Sequence, residues 1–148
     1  MKNKSEIFTS TNPEETMDFG TRLGKGLKPG AFIALTGELG AGKTIFAKGI
    51  ARGLGVKQYG YVNSPSFVIL REYMDGKLPL YHFDVYRLGS SKDLDTVGYE
   101  DYFYGRGVTV VEWADKITDI LPAERLDIRI DYAGKNKRKL TLSGVKAR

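Results

Sequence analysis

The 148-residue sequence predicts an α/β fold: one three-layer domain over residues 1–148, a mixed sheet flanked by helices. Three observations carry this. The apolar run Ala31-Phe32-Ile33-Ala34-Leu35 leads through a glycine-rich turn into a helix-like stretch. A second apolar run, Val108-Thr109-Val110-Val111, ends on the carboxylate of Glu112. Near the C-terminus, 126–132 and 139–142 alternate apolar and polar residues as half-exposed strands do.

The elements follow in order. Thr11 or Asn12 before Pro13-Glu14-Glu15 starts a helix, with proline in the first turn and acids at the positive dipole end. Met17, Leu23 and Leu27 supply its apolar positions, and it ends near Lys28-Pro29-Gly30. Residues 31–36 form a core strand, and Thr44 to Leu54 a helix stopped by Gly53 and Gly55. The segments 67–73 and 78–87 are β-rich and joined by Asp75-Gly76, a hairpin-type turn. A short helix starts at Ser90-Ser91, another covers 99–104, and one through Ile117 and Ile120 stops at Pro122. Ala133-Gly134-Lys135-Asn136 turns between the last two strands.

Composition bounds the function. Hydrophobic content of 41% and charged content of 28% describe an ordinary globular chain with no apolar run long enough for a membrane helix. The N-terminal residues lack an apolar signal core, so a cytoplasmic protein without membrane attachment is expected. With no cysteine there is no disulfide-linked partner and no thiolate metal site. The net charge of +5 belongs to the C-terminal tail, about 134–148, which holds six basic residues and no acid. That tail is either a solvated hairpin and terminus or a face for phosphate or RNA.

The turn at 37–44 reads Gly37-Glu38-Leu39-Gly40-Ala41-Gly42-Lys43-Thr44, a complete G-x-x-x-x-G-K-[ST] phosphate loop. Between a buried strand and a helix, its N–H groups turn inward around phosphates and the positive end of the helix faces them. Lys43 reaches the β- and γ-phosphates, and the Thr44 hydroxyl holds Mg²⁺. This makes the domain P-loop NTPase-like. Asn136-Lys137-Arg138-Lys139 lacks the aspartate that would bind guanine, so ATP is preferred over GTP.

A phosphate loop needs an acid at the end of a buried strand to help hold the cation. Glu112 and Asp84 both qualify; each also has a structural reading, as a helix N-terminal acid and as an ion-pair partner of Arg87 or a lysine. His82, in the same strand as Asp84, reads as a hydrogen-bonded structural residue before a catalyst. Trp113 serves either core packing or a lid beside the metal. Ser64-Pro65-Ser66-Phe67 stands where a switch segment meets the γ-phosphate.

Together, the loop, Ser64-Pro65-Ser66-Phe67, Tyr81-His82-Phe83-Asp84-Val85-Tyr86-Arg87 and Glu112-Trp113 resemble the TsaE (YjeE) family over nearly the whole chain. Its members are small ATPases of bacterial tRNA threonylcarbamoyladenosine synthesis. Departures are mild: the family more often has Asp at Glu38 and Thr at Ser66. The resemblance implies Lys43, Asp84 and Glu112 as catalytic residues, with Thr44 and Glu112 on Mg²⁺ and Asp84 near the γ-phosphate or attacking water. It implies ATP contacts from Thr11, Glu38, Leu39, Gly40, Ala41, Gly42, Lys43, Thr44 and Ile45, and also from Asp84. Ser64, Ser66 and Trp113 are the implied switch or partner residues. The implied partner is the TsaB–TsaD complex, which modifies adenosine 37 of tRNA, so tRNA is met only through that complex. Two other functions fit the residues alone: a small-molecule kinase with Asp84 as base, and a nucleotide-gated RNA-binding module using the basic tail.

Overall fold

A computed structural model describes residues 4–63 and 69–144. Seven strands form one sheet: β1 (Lys4–Ser10), β2 (Phe32–Gly37), β3 (Leu70–Tyr73), β4 (Leu80–Asp84), β5 (Val108–Glu112), β6 (Leu126–Gly134) and β7 (Lys137–Gly144). Their order is β1-β7-β6-β2-β5-β4-β3. The centre is parallel, with β2 between β5 and β6 and β4 beside β5. The β1–β7, β6–β7 and β3–β4 pairs are antiparallel, so the sheet is mixed as expected.

β2 shows why helices lie on both faces. Ile33 and Leu35 face α1 (Pro13–Gly26) and α2 (Lys43–Leu54), joining Phe46, Ile50 and Leu54 in one core. Phe32 and Ala34 face the other way, into a second core with Phe83, Val111, Phe103 and Ile117. That second layer is built from α3 (Tyr99–Phe103) and the 3-10 segments Ser91–Val97 and Ala114–Ile120. Every residue of β5 is buried, as a strand covered on both faces requires.

Asn12 caps α1, its side chain accepting from the Glu15 N–H at 2.8 Å. The face of α1 turned to α2 is not the apolar stripe expected from Met17, Leu23 and Leu27 but Thr16, Gly20 and Gly24. Gly20 and Gly24 meet Gly49 and Gly53 of α2: a methyl on Gly20 would lie 2.4 Å from the Phe46 carbonyl oxygen, one on Gly49 2.2 Å from that of Met17. The helices touch backbone to backbone, and the larger apolar residues flank the seam half-buried.

Three expectations change. The N-terminus contributes a strand, β1, that its sequence did not announce. The strand expected over 78–87 ends at Asp84, because the Leu88 N–H turns back to the Val85 carbonyl at 3.1 Å. The helices expected around 91–97 and through Ile117 are 3-10 rather than α. Ser64-Pro65-Ser66-Phe67 lies outside the described residues.

Candidate functional site

Parallel pairing brings the chemistry to one end of the sheet. Leu35 of β2 is level with Glu112 of β5, and Glu112 is level with Asp84 of β4. The C-terminal ends of three adjacent strands therefore stand in a row, beside the turn from β2 into α2. This edge is where open α/β sheets bind ligands. A cavity of about 420 Å³ opens there. Leu39, Gly40, Gly42, Lys43, Thr44 and Ile45 line it from the loop side, and Asp84, Tyr86, Arg87, Glu112 and Trp113 from the strand side.

Lys43 begins α2 and is only 4% exposed. Its ammonium donates to the Gly37 and Glu38 carbonyls at 2.8 and 2.7 Å and lies 4.0 Å from the centre of the Trp113 ring. Burial pushes its pKa below the ordinary lysine value, partly offset by the carboxylates of Glu112, Asp115, Asp84 and Glu38. Trp113 in turn packs on Tyr86, ring centres 4.7 Å apart, and Lys116 covers the outer side of Tyr86 at 5.2 Å. The backbone of Trp113 is left-handed, φ 65°, a strained setting for a bulky residue and one that clusters at functional sites. Trp113 is thus half-buried packing and site wall at once.

Thr44, one residue along the helix, donates its hydroxyl to Glu112, 3.1 Å from one carboxylate oxygen and 3.3 Å from the other. Glu112 is 2% exposed and also bonds His82 Nε2 at 2.6 Å. His82 is wholly buried, and its Nδ1 has no partner among the described residues. An acceptor nitrogen tolerates that better than an N–H does, which favours the tautomer with hydrogen on Nε2, donated to Glu112. Asp84, nearly buried, accepts the Tyr86 N–H at 2.9 Å.

The loop residues from Leu39 to Ile45 thus meet Asp84, Glu112 and Trp113 around one space, though Ala41 sits in the core beneath it. Glu38 contributes its carbonyl to Lys43 and does not line the cavity. Thr11 does not line it either: its N–H and hydroxyl both bond Glu15, at 2.7 and 2.8 Å. Ser64 and Ser66 fall outside the described residues. Tyr86 and Arg87 line the cavity unforeseen, although they stand two and three places beyond Asp84 in the same motif. Also unforeseen are Tyr132 and Arg138, which bond the loop carbonyls of Leu39 and Ala41 from the terminal hairpin.

Known proteins resemble this chain in sequence and fold. The family model described as threonylcarbamoyl adenosine biosynthesis protein TsaE matches residues 10–140. A TsaE from Bacillus subtilis is 49% identical over 139 residues, covering 93% of this chain and 85% of its own. One from Treponema pallidum is 38% identical, covering 90% and 97%. The crystal structure of YdiB from Bacillus subtilis superposes with a TM-score of 0.81 at 43% identity, over 98% of this chain and 88% of its own.

Proposed function

The chain belongs to the TsaE family, whose role is in tRNA threonylcarbamoyladenosine biosynthesis, and on that premise we propose that it is a Mg²⁺-dependent ATPase. It serves the TsaB–TsaD complex as an accessory subunit, coupling ATP hydrolysis to repeated turnover. The observation that carries this is the meeting of the Thr44 hydroxyl with the Glu112 carboxylate at 3.1 Å, one residue beyond Lys43 at the head of α2.

The donor set fits a hard cation. A hydroxyl and a carboxylate on adjacent elements are the two protein ligands Mg²⁺ ordinarily takes beside substrate phosphates and water. Among the described residues no group of three or more His, Cys, Asp or Glu could hold a metal by itself, so a cation held by Thr44 and Glu112 would draw its other ligands from phosphate oxygens and water. Bound Mg²⁺ supplies neutralisation of charge on the β- and γ-phosphate oxygens. The remaining work falls to side chains. Lys43 exchanges two backbone carbonyls for phosphate oxygen. Thr44 and Glu112 hold the cation, with the His82 ring fixing the angle of the Glu112 carboxylate. Asp84, anchored by the Tyr86 N–H, orients the attacking water. Leu39 and Ile45 border the nucleotide beside the loop.

On this reading the partner is protein, tRNA is reached through it, and the chain works in the cytoplasm. No helix among the described residues is long and apolar enough to cross a membrane. The test uses TsaB–TsaD, ATP, Mg²⁺ and tRNA under multiple-turnover conditions. With this chain present, modified tRNA should exceed the amount of TsaD many times over. Equal yield with and without it overturns the reading.

A further inference from the structure

The phosphate loop is held from outside. Tyr132 of β6 and Arg138 of β7 are direct cross-strand partners, and the guanidinium lies 4.5 Å from the centre of the Tyr132 ring. The Tyr132 hydroxyl donates to the Leu39 carbonyl at 2.7 Å, and Arg138 Nε to the Ala41 carbonyl at 3.0 Å. Arg138 Nη1 bonds the Lys137 carbonyl at 2.8 Å, which fixes the guanidinium plane. A register shift between Tyr132 and Gly134 bends β6 here, as bulges that re-aim side chains near functional sites do. Gly40 sits between the two braced carbonyls at φ 78°, and a methyl on it would come within 2.8 Å of the Tyr132 hydroxyl oxygen. The hydroxyl fills space that only glycine leaves.

Peptide planarity carries the effect across the loop. The C=O and N–H of a trans peptide point in opposite directions. Drawing the Leu39 carbonyl toward the hairpin sends the Gly40 N–H away from it, and drawing the Ala41 carbonyl does the same to the Gly42 N–H. Gly40 and Gly42 both line the cavity that Lys43 and Thr44 share. We propose that Tyr132 and Arg138 are positioning residues that aim the Gly40 and Gly42 N–H groups at bound phosphate. This rests on the nucleotide-binding reading above and gives the basic hairpin a use other than contact with RNA.

The test compares wild type with Tyr132→Phe, Arg138→Gln, the double variant and Lys139→Gln. Calorimetry with Mg²⁺ and ADP or ATP gives affinity, and phosphate release gives KM and kcat. Tyr132→Phe keeps the ring and its cation contact and removes one hydroxyl; it should weaken both nucleotides about fivefold, and Arg138→Gln about tenfold. KM should rise in step while kcat at saturation stays within about twofold, because the lost contacts serve bound ground and transition states alike. The double variant should lose less than the product of the singles, since both act on one short loop. Lys139→Gln, which removes an equal charge from the other face of β7, should bind as wild type does. Unchanged affinity in Tyr132→Phe, or an equal loss in Lys139→Gln, overturns the pair's role. If Arg138→Gln does not fold, Tyr132→Phe decides the matter alone. Wild-type protein that binds neither ADP nor ATP overturns the nucleotide reading itself and this inference with it, a different result from normal wild-type binding with unaffected variants.

Discussion

Glu112, itself almost fully buried, is held by two side chains, the Thr44 hydroxyl and the His82 ring. Removing His82 leaves a cavity and strips a hydrogen bond from a buried carboxylate. His82→Ala should therefore cost about 2–4 kcal/mol of stability in urea denaturation. A loss below about 1 kcal/mol would mean that Glu112 keeps its seat without the imidazole. Lys43 gives a pH dependence. Its pKa is lowered by burial from an ordinary 10.5, so its charge costs stability at neutral pH, and that cost fades as pH rises through the folded pKa. Nucleotide phosphate needs the ammonium form. ATP affinity should thus hold at neutral pH and decline from below 10.5, earlier than an ordinary lysine would permit. Affinity measured by calorimetry from pH 7 upward checks this, and a flat profile through 10.5 contradicts it. At this scale part was legible: Lys43 and Thr44 stand in the glycine-loop motif at the head of a helix and Glu112 ends an apolar run, whereas Asp84 was read inside a strand that in fact ends there. Tyr132 and Arg138 were not, because their contacts reach 93 and 97 residues back along the chain to the loop.

The α1–α2 seam sets a sharper constraint than any apolar stripe. Gly20 and Gly24 on α1 face Gly49 and Gly53 on α2, and each pair is spaced four apart, one row along a helix. Gly49→Ala would press a methyl against the Met17 carbonyl oxygen and should cost about 3 kcal/mol, read as a lower denaturation midpoint. Gly26→Ala is the matched comparison: nothing lies within 4 Å of the added methyl, and the change should stabilise by about 0.5–1 kcal/mol. Equal effects at the two positions would show that helix propensity, not the seam, governs both. Sequence periodicity pointed to Met17, Leu23 and Leu27 because it scores apolar bulk, whereas here the contact is made by its absence. A glycine row becomes meaningful only once two helices are known to be neighbours. β1 escaped notice for a related reason: Ile7 and Phe8 are exposed while Ser10 is buried, the reverse of an amphipathic pattern.

Across the whole molecule, the central strands and the terminal hairpin of β6 and β7 were legible, whereas β1 and the order of the strands in the sheet were not. Apolar runs 31–35 and 108–111 declare buried strands, but which strand lies beside which depends on pairings over long stretches of chain. The order β1-β7-β6-β2 is the extreme case, since the first strand pairs with the last. This has a consequence in time. During synthesis β1 leaves the ribosome early and has no neighbour until β7 follows, so the edge of the sheet closes last and bears the largest loop-closure cost. Arg138 arrives in that same closing step, paired with Ser10 on one side and Tyr132 on the other. A nascent chain that has already made the 37–44 loop still lacks the two side chains that bond its carbonyls, and on the proposed reading full grip on nucleotide would wait for β7.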